Sequence, residues 1–301
     1  MNTFREAVRD RVLYGVLAFA TAVLLFSLAL AELSLNQEQR IVRNIGMASI
    51  SLFTVLVGVF LGSSLLYKEI ERKTLYVILP KPIHRAEFLV GKFFGIGLTG
   101  AVFVMTMGFV QFWVMALQAG LGFWIMSLVP GALALALALG LWRVRDRTAV
   151  LIPWSFLAIV AGLFLLWKAN IAVFPMAAML SLSIAELVVL SSVALLFSSF
   201  STPFLTGVLT FGVWVAGRSA HEMATMKSKV LAPAIRSVMH VLAEVVPNFS
   251  LYVPGYRALS LQLHDQGGAV QYLGMTLGYT VFYSAILLLF AALLFRKRDF
   301  L

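Results

Sequence analysis

Residues 68–92 read KEIERKTLYVILPKPIHRAEFLVGK, a long charged stretch set between two strongly apolar ones. Six of its residues are basic (Lys68, Arg72, Lys73, Lys81, Arg85 and Lys92), and the bias of Lys and Arg toward the inner side of a membrane puts such a stretch in the cytoplasm. In its first half Leu66, Ile70, Thr74, Val77 and Ile78 share a face at helical spacing, and Glu69 stands four residues before Lys73. That spacing predicts a helix running on out of the apolar segment before it. Pro80 and Pro82 stop the helix, because proline has no N–H to give to the helix ladder. The chain then reverses, and a second helix is expected from about Arg85 through Gly91 and Lys92 into the next apolar segment. The product is an amphipathic helix at a cytoplasmic bend, either an ordinary solvated loop or a surface made to dock on a partner.

Working outward, the whole chain of 301 residues is 61% hydrophobic and 12% charged, where a soluble globule would carry about a quarter charged residues. This composition predicts an all-α integral membrane protein. Cysteine is absent, which excludes disulfides, thiol catalysis and cysteine-ligated metal clusters. The formal net charge of +10 is parcelled out at the edges of apolar runs rather than gathered in one patch, so anionic lipid headgroups are its expected partners and nucleic acid is not.

Eight apolar runs qualify as spans, at 12–31, 47–67, 93–117, 122–142, 150–167, 172–197, 201–217 and 272–295. Ala29-Leu30-Ala31 resembles a signal-peptide cleavage site, but a run of about twenty apolar residues is too long for a signal core, and Glu6 and Asp10 precede it. The first run is therefore expected to be an uncleaved span. Ahead of it, residues 1–11 place Phe4, Ala7 and Val8 opposite Arg5, Arg9 and Arg11, which suits a helix lying in the membrane interface. Residues 33–46 are expected as a short outer loop, and Gly58 and Gly62 in the second span permit close helix approach. Arg143, Arg145 and Arg147 mark the turn of the 122–167 pair as cytoplasmic, and Arg296, Lys297 and Arg298 do the same for the carboxy terminus. Both termini are thus expected in the cytoplasm of a multi-pass inner (plasma) membrane protein, with 1–301 forming one transmembrane domain.

The outer loop at 218–271 contains Leu231, Ile235, Val238, Leu242 and Val245 at alternating steps of four and three, an amphipathic helix with Arg236, His240 and Glu244 on its other face. It is too short to span, so it is expected across the outer mouth as a lid, a platform for an extracytoplasmic partner, or packing alone. Phe249, Tyr252 and Tyr256 after it suit the outer membrane interface.

The chemistry in the chain is sparse. Gly91-Lys92 is followed by Phe93 and has no glycine five residues upstream, so it is no phosphate-binding loop. His221, His240 and His264 lack the close spacing of metal ligands. No Gly-x-Ser-x-Gly elbow is present, and an enzyme is not expected. Glu186 stands about mid-depth in the sixth span, where a carboxylate must be protonated, paired or facing water. It is either a structural acid bonded to a Ser or a backbone carbonyl, or part of a gate or substrate path.

The stretch from Glu69 to Lys92 resembles the coupling segment between the second and third spans of ABC-2 type transporter permeases. The likeness rests on Glu69-Ile70-Glu71-Arg72-Lys73-Thr74-Leu75, then Lys81-Pro82-Ile83 with Arg85, then Phe88-Leu89-Val90-Gly91-Lys92, with His84 where a small residue is more usual. The basic amino-terminal helix and the closing Arg-Lys-Arg-Asp-Phe are also similar. The resemblance implies a six-span core in which the 122–167 hairpin is an insertion. It further implies a dimer with a second permease copy or a related permease, and a separate ABC ATP-binding subunit that carries ATP and Mg, with no cofactor on this chain. Glu69, Glu71, Arg72, Thr74, Leu75, Pro82 and Arg85 would then couple the chain to that ATPase. The competing expectation is a proton-coupled secondary transporter using Glu186.

Overall fold

The computed structural model describes residues 2–33, 37–71, 85–144, 147–220, 222, 244–254 and 268–297, and among them there is no strand. The principal elements are α1 (Asn2–Val8), α2 (Arg11–Glu32), α3 (Glu38–Glu71), α4 (Arg85–Gln118), α5 (Phe123–Arg143), α6 (Arg147–Lys168), α7 (Val173–Ser198), α8 (Pro203–Arg218), a 3-10 turn (Phe249–Tyr252) and α9 (Gly268–Lys297). Seven of these, α2 to α7 and α9, are long and apolar enough to cross a membrane, the architecture of a multi-pass membrane protein. The run expected at 201–217 folds as α8, which has 16 residues. Such a helix reaches about 24 Å, short of a hydrocarbon core of about 30 Å.

Local chemistry sets the helix ends. Asp10 caps α2 by accepting from the Val12 N–H at 3.2 Å. Pro203 opens α8 at the position where a missing N–H costs nothing. The turns that flank the α5–α6 pair are alike: Gly120 (φ +77°) follows α4 and Asn170 (φ 56°) follows α6, both left-handed. In each, the next N–H reaches back past the turn, Leu121 to Ala116 and Ile171 to Leu166, a common way to end a helix. The loop expected at 33–46 is shorter than its charges suggest, since α3 already begins at Glu38, an acid in the first turn where the helix dipole favours it. At its other end α3 runs to Glu71, and α4 begins at Arg85.

The chain divides into two compact units, Met1–Val57 with Leu98–Ile184, and Gly58–Gly97 with Ala185–Leu301. The division cuts through α3, α4 and α7 rather than through a linker. In the first unit Phe109 and Ala116 of α4, Met126 and Leu133 of α5, and Ala158 and Leu165 of α6 form a core. Pro130 inside α5 cannot donate to the carbonyl four residues back, that of Met126. The Trp113 indole N–H donates to that carbonyl at 3.0 Å instead. Gln111 of α4 is fully buried and donates to the Val42 carbonyl at 3.0 Å, and a Cβ at Gly46 would overlap its amide. The apolar face of α1 (Phe4, Ala7, Val8) is buried against protein, with α2 and α6 as its neighbours, so the amphipathicity that suggested a lipid interface is used inside the fold.

In the second unit Gly58 and Gly62 bring α3 against α7: a Cβ at Gly58 would lie 3.0 Å from both Leu187 and Leu190, and one at Gly62 would overlap the Ala194 methyl. Lys92, a residue suited to anchoring at headgroup level, is instead 2% exposed, with its Nζ 5.6 Å from the centre of the Phe88 ring.

Candidate functional site

The turn Ser199–Thr202 folds α8 back along α7, and that reversal pairs residues equally far from Phe200. Glu186 on α7 and Trp214 on α8 are such a pair, and Arg218 is one helical turn beyond Trp214. Glu186, 0% exposed, accepts at Oε1 from the Trp214 indole N–H at 2.8 Å and from Arg218 Nη1 at 2.9 Å. The guanidinium also lies 5.6 Å from the centre of the Trp214 ring. Neither a serine nor a backbone carbonyl is needed to account for the buried carboxylate: its charge is met by a cation at the end of the neighbouring helix. Thr206, Thr210, Trp214 and Arg218 succeed one another at steps of four, a polar stripe along α8. Within it Thr206 shares a hydrogen bond with Ser201 (2.6 Å), and the buried Thr210 hydroxyl has no hydrogen-bond partner among the described residues.

Arg218 Nη1 also donates to the Phe249 carbonyl at 3.4 Å, which ties the pair to residues 244–254. The end of α8 lies directly on that segment, because a Cβ at Gly217 would overlap the Pro247 carbonyl oxygen and lie 2.7 Å from the Phe249 ring. On the segment's other side stands the stripe Tyr272, Thr276, Tyr279, Thr280 and Tyr283 of α9. Tyr283 donates to the Val245 carbonyl at 2.8 Å, Tyr279 accepts from the Asn248 N–H at 3.0 Å, and Tyr272 donates to the Leu251 carbonyl at 2.5 Å. Tyr252 and Thr280 bond at 2.8 Å, and since Thr280 gives its proton to the Thr276 carbonyl, Tyr252 is the donor. Burial raises the Tyr252 phenol pKa, so the hydroxyl keeps that proton. Asn248 caps the 3-10 turn by accepting from the Ser250 N–H at 3.1 Å and from its hydroxyl at 2.6 Å. Phe249 and Tyr252, aromatics suited to the lipid interface, are 0% and 2% exposed, packed within the protein.

The other expected site residues lie apart from this cluster. Glu69 and Glu71 fall on the last turn of α3 and Arg85 on the first residue of α4. Arg72, Thr74, Leu75 and Pro82 lie outside the described residues, as do His84, His221, His240 and His264 and residues 231–243 of the helix expected at 231–245. The last member of that helix's apolar stripe, Val245, is exposed. Among the described residues no three His, Asp or Glu side chains cluster as metal ligands. Trp214 and Arg218 were the partners that sequence reasoning missed, and the signal was present: the four-residue stripe on α8, and the equal distance of residues 186 and 214 from the turn. Compared with protein-family models, curated proteins and solved structures, the chain matches none.

Proposed function

We propose that this chain is the membrane-spanning subunit of an ATP-driven exporter of the ABC-2 type, working as a dimer with a second permease and coupled to a separate ATP-binding subunit. The observation that carries this reading is the 68–92 segment, with its Glu-x-Glu-Arg-Lys-Thr-Leu and Pro-Ile-x-Arg elements. Its flanks support it: α3 continues as helix to Glu71, and α4 starts at Arg85, so a push received between them is delivered to two long apolar helices. ATP and Mg belong on the partner, since Gly91-Lys92 is no phosphate-binding loop. Closure of the ATPase would press on the helix that the sequence predicts from Glu69 to Leu79. The motion would pass to α3 directly and to α4 through Pro82, re-packing these helices to alternate access.

Charge reversal at Glu69 or Glu71, or Leu75→Arg, tests the reading in membranes that also contain the ATP-binding subunit. The expected result is a permease that still inserts but no longer stimulates ATP turnover. Unchanged co-purification and turnover in all three variants would overturn it. Proton-coupled transport on Glu186 is the second reading, favoured by the burial of that carboxylate. It would require Glu186 to part from Arg218 in every cycle. An uncoupler added at constant ATP separates the two, because it stops proton-coupled transport and spares the ATP-driven kind.

A further inference from the structure

We infer that α3 is seated as a wedge in the groove of the α7–α8 hairpin, and that Glu186 and Arg218 pin this groove at its open end. They are thereby positioning residues for coupling, because they make the hairpin follow α3. The direction of the push comes from the reading of residues 68–92 proposed above, on which this inference rests; its path comes from contacts within the second unit. Gly58 and Gly62 of α3 meet α7, the first at Leu187 and Leu190 and the second at Ala194. The residues beside them, Val59 and Ser63, meet α8, where a Cβ at Gly207 would stand 3.8 Å from a Val59 methyl and 4.0 Å from the Ser63 hydroxyl. Both arms of the hairpin therefore hold α3, each at a glycine that lets the helices come close.

The seat resists sliding. The step from Gly58 to Gly62 on α3 matches that from Leu190 to Ala194 on α7, so the two helices run parallel in one register. A push at Glu71 could slide α3 by one turn, about 5.4 Å, only by bringing Leu66 into the place of Gly62, where even a methyl overlaps that of Ala194. Surfaces interlocked in this way do not deform smoothly, so a smaller push carries α7 along. Sideways movement loads the pin instead. Ala194 and Gly207 stand about 6 Å from the closed end of the hairpin and Glu186 about 18 Å from it. Widening the groove by about 1 Å at the wedge would therefore spread the helices by about 3 Å at the ion pair, as much as the 2.9 Å bond itself. The pair thus fixes the width of the groove and, with the Trp214 indole on the same carboxylate, ties α8 to α7. Such a role suits a buried ion pair, which adds little stability over apolar residues but can fix one arrangement among several.

Thermal unfolding of the permease alone in detergent tests the pin. Gly62→Ala sets a methyl against Ala194 and should lower Tm by several degrees. With Glu186→Gln and Arg218→Met in place the hairpin can give, and the drop should be halved or less. Ala194 and Glu186 are about 12 Å apart along α7, too far to couple by contact, so equal drops in the two backgrounds would overturn the pin. Trp214→Phe, which takes one bond from the carboxylate, should shrink the drop in the same direction and serves if the double variant does not fold. Joint movement is tested in vesicles that also hold the ATP-binding subunit. Glu186→Gln with Arg218→Met should lower the stimulation of ATP turnover several-fold. A disulfide formed in Ser63→Cys with Gly207→Cys, in a chain that has no other cysteine, should restore it by tying α3 to α8 in place of the pin. No restoration, or a loss of turnover when the same bridge is closed in the parent, would overturn the joint movement. A parent that stimulates no turnover at all counts against the proposed function, and the unfolding comparison then decides the pin by itself.

Discussion

The chain contains two helical hairpins that look alike in hydropathy and differ in what they bury. In the α5–α6 pair the helices pack on each other, and only 11% of the apolar stretch of α5 is buried. Phe123, Trp124, Leu128, Leu135 and Trp142 face outward. Each of its helices has an interior proline: Pro130 of α5 frees the Met126 carbonyl, which Trp113 meets, and Pro153 of α6 frees that of Ala149. In the α7–α8 pair 72% of the apolar stretch of α7 is buried, and the hairpin holds a carboxylate, a guanidinium and a stripe of hydroxyls. In a membrane an apolar surface is as content against lipid as against protein, so burial is not itself a driving force there. A helix that is both covered and polar is therefore the one whose arrangement is most closely specified, and here that is the α7–α8 hairpin.

The comparison breaks most readily at the ion pair. Arg218→Met leaves Glu186 buried without its cation and should cost about 3–5 kcal/mol, whereas adding Glu186→Gln should recover most of the loss. Thermal unfolding in detergent measures both, and a double variant as unstable as the single would show that the charges are not a pair. A smaller effect is expected at Gly217→Ala, where the new methyl meets the Pro247 carbonyl oxygen, a backbone atom that cannot rotate away; about 1–3 kcal/mol is the usual range for such overpacking.

In the other hairpin Trp113→Phe should cost about 1–3 kcal/mol by leaving the Met126 carbonyl unsatisfied. The cost should fall in a Pro130→Ala background, where the helix regains its own N–H donor, and a thermal double-mutant cycle reads that coupling. The same penalty in both backgrounds would mean that Trp113 acts by volume alone. Leu128→Ala and Leu135→Ala, at outward positions on α5, should change stability by less than about 0.5 kcal/mol. A large loss at either would place protein where the comparison expects lipid.

Much of this architecture was legible before any coordinates. Asp10, Pro203, Gly120 and Asn170 mark helix ends by local chemistry, and the spacing of Gly58 and Gly62 permitted a close helix approach without saying that the neighbour is α7. Glu186 stood out because a carboxylate inside an apolar run demands an explanation. Its partner did not, because Arg218 read as the first residue of a polar loop, and hydropathy gives no sign that the helix before it is too short to reach the far side. The start of α3 was misplaced for a related reason: Arg40 and Arg43 look like loop residues when charge alone is weighed, yet the helix ladder is indifferent to them.

Sequence by itself determined the class of the protein, the apolar helices, the positions of most turns and the separate character of residues 68–92. These depend on composition, on a period of 3.6 residues and on local capping, all of which are written in neighbouring positions. Tertiary structure alone decided that Phe4, Ala7 and Val8 are covered by protein, that Phe249 and Tyr252 are buried, that Trp113 serves Met126, and that Glu186 is held by Arg218. An apolar face shows the same pattern whether lipid or another helix will cover it, and a polar group shows only that it needs a partner. Which partner arrives depends on how helices distant in sequence are laid against each other.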